Sequence, residues 1–276
     1  MRALAEKFDP HVVYLVPVVA SLLFGLGCAY ILRTQSVALV NVTPFPDDTT
    51  SGPVGNAIYF VVLLAISATV FYVLLKRKSR RLITFLIAFA LTAASMLLSV
   101  IYLSAIFTFV SSLEILILPI AMLLTVFFDL AVFRFSSQAR NIAVICLGGA
   151  LGVFFGASIP LLSALLILAF LAVYDVIAVY RGPVGKIAQS GLDQLQGLSY
   201  SFKDVQMGLG DLVFYSMLSG TMLFKLGWIP CIVSIVGILA GSFLTLVMLE
   251  KKGIFPGLPF PILLGIVSGL LASLVA

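Results

Sequence analysis

The sequence predicts an all-α, polytopic membrane protein of about nine transmembrane helices, forming a single domain over residues 1–276. Three observations predict it. Hydrophobic residues make up 62% of the chain and charged residues only 10%, whereas soluble domains are about 45 to 50% apolar. Apolar runs near the roughly 20 residues needed to cross a bilayer recur along the chain. Lysine and arginine fall into alternate loops, as they do where cytoplasmic loops are enriched in positive charge.

Taken in order, the runs span residues 11–32, 56–75, 82–108, 113–133, 141–156, 158–180, 209–226, 229–249 and 257–275. The first is too long for the 7 to 15 residue core of a cleaved signal peptide and reads as a retained span. The fifth is short, and its separation from the sixth rests on Gly156 to Pro160. The loop from Gln35 to Gly55 carries Pro44, Pro46, Asp47, Asp48, Gly52 and Pro53, which predicts irregular, solvent-facing chain. It also contains the formal glycosylation triplet Asn41-Val42-Thr43, a pattern that recurs by chance. The segment 181–207 is the longest inner loop, rich in Gly, Ser and Gln, and reads as flexible.

With the N-terminus in the cytoplasm, nine alternating spans place 14 of the 16 basic residues on the cytoplasmic side: Arg2, Lys7, Lys76, Arg77, Lys78, Arg80, Arg81, Arg134, Arg140, Arg181, Lys186, Lys203, Lys251 and Lys252. Only Arg33 and Lys225 fall outside. One span more or fewer early in the chain would scramble this pattern. The expected setting is therefore the cell membrane, with the C-terminus on the far side. Loop placement also accounts for the net charge of +5 without a nucleic-acid partner.

Composition narrows the chemistry. Cys28, Cys146 and Cys231 sit in apolar runs without CxxC spacing, which suggests neither a disulfide framework nor a metal site. His11 is the only histidine and reads as a cap or anchor of the first span, so a histidine zinc site or a Ser-His triad has little to work with. No metal and no cofactor are expected.

The acids point elsewhere. Most of the 11 lie in loops or at span ends, Glu114 among them, but Asp129, Asp175 and Asp211 do not. A carboxylate at membrane depth costs at least about 2.5 to 3.5 kcal/mol and asks for a reason. Asp129, five residues before Arg134, reads as a boundary residue paired with that arginine. Asp175 lies six residues before Arg181, about 9 Å inside the cytoplasmic boundary at 1.5 Å per residue. Asp211 opens the seventh span from the same side. Two carboxylates at close range do not both ionise readily, so one holds a proton and the other is charged. Such a pair can activate a water and protonate a peptide carbonyl or its leaving amine without a covalent intermediate. Gly208 and Gly210 would let a substrate strand or a neighbouring helix approach Asp211, or would serve helix packing alone. Tyr174 could bond a substrate or merely pack. Pro256 to Pro259 would keep the backbone irregular at the start of the ninth span, which is tolerated where it lines a cavity.

These residues resemble the presenilin and signal peptide peptidase family of intramembrane aspartyl proteases. Its Tyr-Asp motif is matched by Tyr174-Asp175, its Gly-x-Gly-Asp motif by Gly208-Leu209-Gly210-Asp211, and its Pro-Ala-Leu motif by Pro256-Gly257-Leu258, followed by Pro259. Gly257 stands where the family has alanine. The nine-span layout and the N-in orientation are like presenilin and opposite to the signal peptide peptidases. The resemblance implies a presenilin-like fold, Asp175 and Asp211 as catalytic pair, and a substrate-engaging role for Pro256 to Pro259. It implies substrates that are transmembrane helices with their N-termini outside, in a lipid bilayer; a homo-oligomer stays open. The loop between the aspartates lacks the apolar insert at which presenilin is cut during maturation, which argues against autoproteolytic activation and against dependence on the partner subunits of the animal complex. The compact loops suggest a microbial, archaeal homologue. The rival reading is a proton- or cation-coupled transporter or channel using the same acids, but it leaves their shared position near one face unexplained.

Overall fold

A computed structural model describes residues 12–35, 41–47, 51–77, 79–107, 111–181, 199–202, 205–252 and 254–275. Among them are nine α-helices: α1 (Val16–Thr34), α2 (Gly52–Lys76), α3 (Arg80–Phe107), α4 (Ile117–Phe133), α5 (Ser137–Ser158), α6 (Leu161–Tyr180), α7 (Leu209–Lys225), α8 (Trp228–Lys252) and α9 (Pro259–Ser273). Short 3-10 turns, Val12–Leu15 and Ser111–Leu116, lead into α1 and α4. His11 and residues 182–198, most of the expected inner loop, lie outside the described residues.

Among the described residues seven helices are long and apolar enough to cross a bilayer. The expected fifth span is longer than its apolar run suggests, at 22 residues, because the polar stretch Ser137 to Asn141 already forms its first turn. The break before α6 falls as expected, with Ser158 ending one helix and Pro160 capping the next. By contrast α7 has 17 residues and α9 has 15, or about 25 and 22 Å. Neighbouring helices enclose α7 on almost every side, from Leu212 and Val213 through the run Tyr215 to Leu223. A helix surrounded by protein has no need to match the bilayer. The outer face of the bundle is apolar, as on α2, where Ile58, Val62, Ile66 and Val70 are exposed; in water such a surface would be a liability.

Small residues set the closest contacts, as membrane helices require in the absence of a hydrophobic drive between them. Gly148, Gly152 and Gly156 form a ladder on α5 against α7. A methyl built on Gly156 would lie 2.6 Å from the Met217 carbonyl oxygen and the Thr221 nitrogen, and one on Gly152 would lie 2.6 Å from Ser216 Cβ. The backbones of α5 and α7 therefore touch. The same device joins α8 to α9, where a methyl on Gly241 would meet the Phe260 carbonyl at 2.5 Å. Between α7 and α8 the chain reverses at Gly227, whose φ of 105° favours glycine.

At the opposite end from Asp175 and Asp211, the first loop folds back onto the bundle. Asn56 on α2, fully buried, donates to Ser163 Oγ on α6 at 2.8 Å and to the Phe45 carbonyl at 3.0 Å, while its own oxygen accepts the Phe45 N–H at 3.0 Å. The Ser163 hydroxyl also donates to Asp47. The loop expected to be irregular and solvent-facing thus also supplies a polar knot between α2 and α6. The two basic residues left over by the charge tally are engaged at this end as well: Arg33 lies over the Trp228 ring at 5.9 Å, and Lys225 donates to the Ala157 carbonyl at 3.3 Å.

The second departure from the expected loops is a hairpin. Strands β1 (Ser199–Phe202) and β2 (Val205–Gly208) pair antiparallel, with Ser199 opposite Gly208. β1 rests against α5, and β2 runs directly into α7. The support matters, because a lone two-stranded hairpin is marginal in water.

Candidate active site

Asp175 lies near the C-terminal end of α6, and Asp211 in the first turn of α7. Both stand at one end of the bundle. The chain joining α8 to α9 runs past both. The Leu258 N–H donates to Asp175 Oδ2 at 3.0 Å. On the other flank Gly257 abuts Asp211, so closely that a methyl built there would lie 2.7 Å from Oδ2 and 3.0 Å from Oδ1. Alanine, the residue of the family motif, does not fit here with Asp211 where it stands.

Local sequence explains the placement. Gly208 is the N-cap of α7, which makes Asp211 its third helical residue. A carboxylate at that position can reach back toward the N-cap residue, and a methyl built on Gly208 would lie 3.8 Å from Asp211 Oδ2. The negative charge also suits the positive end of the helix. Gly210 is exposed and Leu209 buried; both border an apolar cavity of about 430 Å³ between α2, α5, α6 and α7. Pro256 and Leu258 are buried. Pro259 is the first residue of α9, where its missing N–H costs nothing. Stacked rings of Phe255 and Phe260, 5.6 Å apart, close the turn. Tyr174 is half-buried beside Asp175 but rotated about 100° from it around the helix.

One residue of the site escapes the sequence reading. Tyr215, one turn beyond Asp211 and 2% exposed, donates its hydroxyl to the Gly257 carbonyl at 2.7 Å. The available signal was a polar group spaced four residues from a buried acid. One expectation changes: Asp129 accepts a 2.7 Å bond from Thr92 Oγ1 on α3, not an ion pair with Arg134. At its depth a neighbouring hydroxyl is nearer than an arginine at the helix end. Among the described residues no three His, Cys, Asp or Glu side chains gather to hold a metal.

Comparison with known proteins identifies the family and the fold. The family model described as signal-peptide peptidase, presenilin aspartyl protease matches residues 28–193, and the presenilin model matches residues 183–276. The chain belongs to the presenilin and signal-peptide peptidase family. Presenilin-B of Dictyostelium discoideum is 36% identical to it over 113 residues, a match covering 36% of this chain and 23% of that relative. Thus the matched part is about a quarter of the curated relative's length. The fold is shared with a solved presenilin-family intramembrane aspartate protease in two crystal forms. One gives a TM-score of 0.67 at 24% identity, covering 95% of this chain and 99% of the other. The second gives 0.68 at 22% identity, covering 98% and 100%. The presenilin-type fold is therefore present from α1 to α9, and the chain is a multi-pass membrane protein.

Proposed function

We propose that the chain is an intramembrane aspartyl endopeptidase in which Asp175 and Asp211 activate water to hydrolyse a peptide bond within a substrate's transmembrane helix. The observation that carries the proposal is the convergence of both carboxylates on the Gly257-Leu258 turn. One carboxylate, ionised, takes a proton from water as the oxygen attacks the carbonyl carbon. The other, protonated, gives its proton to the carbonyl oxygen. Collapse of the resulting diol breaks the C–N bond, and the departing nitrogen takes up a proton, yielding acid and amine.

Helical carbonyls are already hydrogen-bonded, so the substrate must unwind before attack. Two features support a place for the unwound strand. β2 ends at Gly208, three residues before Asp211, and can offer backbone groups to an added strand. The cavity beside Gly210 is lined by Phe60, Leu64, Val213 and Phe214, a surface suited to apolar side chains of a membrane helix. The charge tally supports an orientation with the N-terminus in the cytoplasm, and hence substrates whose N-termini lie outside. Gly208, Gly210, Tyr174 and Pro256 to Pro259 then shape the cleft.

The test uses purified protein in proteoliposomes with a model transmembrane substrate. Asp175→Asn and Asp211→Asn each remove cleavage while the thermal midpoint is retained. Full cleavage by either variant overturns the dyad.

A further inference from the structure

The Gly257 carbonyl and the Leu258 N–H are two ends of one peptide group. That unit is planar and, with no cis bonds among the described residues, trans, so the two polar groups point in opposite directions. Each is claimed by a different helix. The carbonyl accepts the Tyr215 hydroxyl of α7 at 2.7 Å, and the N–H donates to Asp175 Oδ2 of α6 at 3.0 Å. Rotation of the plane loses both bonds together. Within the turn, side-chain links to this peptide come from Tyr215 and Asp175 alone among the described residues.

We propose that Tyr215 is a positioning residue for Asp175, acting through the Gly257-Leu258 peptide: its hydroxyl locks the carbonyl and thereby aims the amide at the carboxylate. Donation to the carbonyl also polarises the peptide and strengthens its N–H as a donor. The seat of Tyr215 suits the task. It lies four residues from Asp211, on the same face of α7, and its burial keeps water from competing for the carbonyl. The inference rests on reading Asp175 as one member of the dyad.

Tyr215→Phe keeps the ring and removes only the hydroxyl. It is expected to lower kcat about tenfold with KM within about twofold, and to displace the acidic limb of the kcat/KM profile by about half a pH unit or more. In hydrogen exchange, the peptide carrying Leu258 exchanges about tenfold faster than in the parent protein. A uniform loss of rate at every pH, together with unchanged exchange at Leu258, overturns the proposal, because that is what mere packing would give. Should the Phe variant fail to fold, 3-fluorotyrosine at position 215 keeps shape and hydroxyl but makes a stronger donor. Its profile should move in the sense opposite to that of a lost donor; an unmoved profile overturns the proposal. Exchange at Leu258 is read without substrate, so full cleavage by Asp175→Asn would sink the reading of Asp175 as a member of the dyad while leaving the Tyr215 geometry separately decided.

Discussion

Gly257 decides how near the turn can come to Asp211. The atoms a methyl would meet are the tip of a side chain, so Gly257→Ala should fold and instead push the carboxylate aside. A displacement near 1 Å can cost about a hundredfold; cleavage of a model substrate should fall at least about tenfold, with thermal unfolding little changed. An unaltered rate would mean that Asp211 works from another position. Because the pair needs one proton between its two carboxylates, kcat/KM should follow a bell against pH, with two apparent values belonging to the pair. A single sigmoid in a full pH series would contradict proton sharing. Asp175, Asp211 and the turn were legible in the sequence because a charge inside an apolar run is conspicuous and prolines mark irregular backbone. Tyr215 was not, since an aromatic residue within a span ordinarily means packing, and its partner is a backbone carbonyl 42 residues away.

At the level of elements, α5 and α7 depend on the glycine ladder. Gly152→Val forces the backbones apart and should destabilise by about 1 to 3 kcal/mol or more, measured as a lower thermal midpoint with loss of cleavage. Gly148, Gly152 and Gly156 are visible in the sequence at four-residue spacing; their partner helix is not, because spacing describes one surface and says nothing of the surface it meets. The knot at Asn56 is a similar case. Asn56→Leu leaves the Phe45 amide and carbonyl without their side-chain partner and should lower the midpoint by about 2 to 8 °C. Its members come from the first loop, from the start of α2 and from Ser163, which is 107 residues from Asn56, so no local pattern announces it. The hairpin could have been read from the alternation of Tyr200 with Phe202 and Val205 with Met207. Flanking glycines and serines masked it, and support from α5, not strand propensity, makes it stable.

Across the whole molecule, apolar length and charge alternation sufficed for the class and the helix order, because the bilayer imposes the same ruler on every exposed span. That ruler fails for α7 and α9, which answer to their protein neighbours. Their lengths of about 25 and 22 Å fall below a hydrocarbon core near 30 Å. Cleavage should therefore depend on lipid: vesicles of short myristoleoyl chains should support about two- to fivefold faster turnover than vesicles of long erucoyl chains, since mismatch costs fractions of a kcal/mol per Å. Equal rates in both would show that the neighbouring helices shield the short pair completely. The brevity of α7 has a further consequence for the bond that is cut. Asp211 stands in the first turn of a 17-residue helix, shorter than the hydrocarbon core, so hydrolysis there requires the molecule to bring water down to its guest instead of hauling the guest up to the shore.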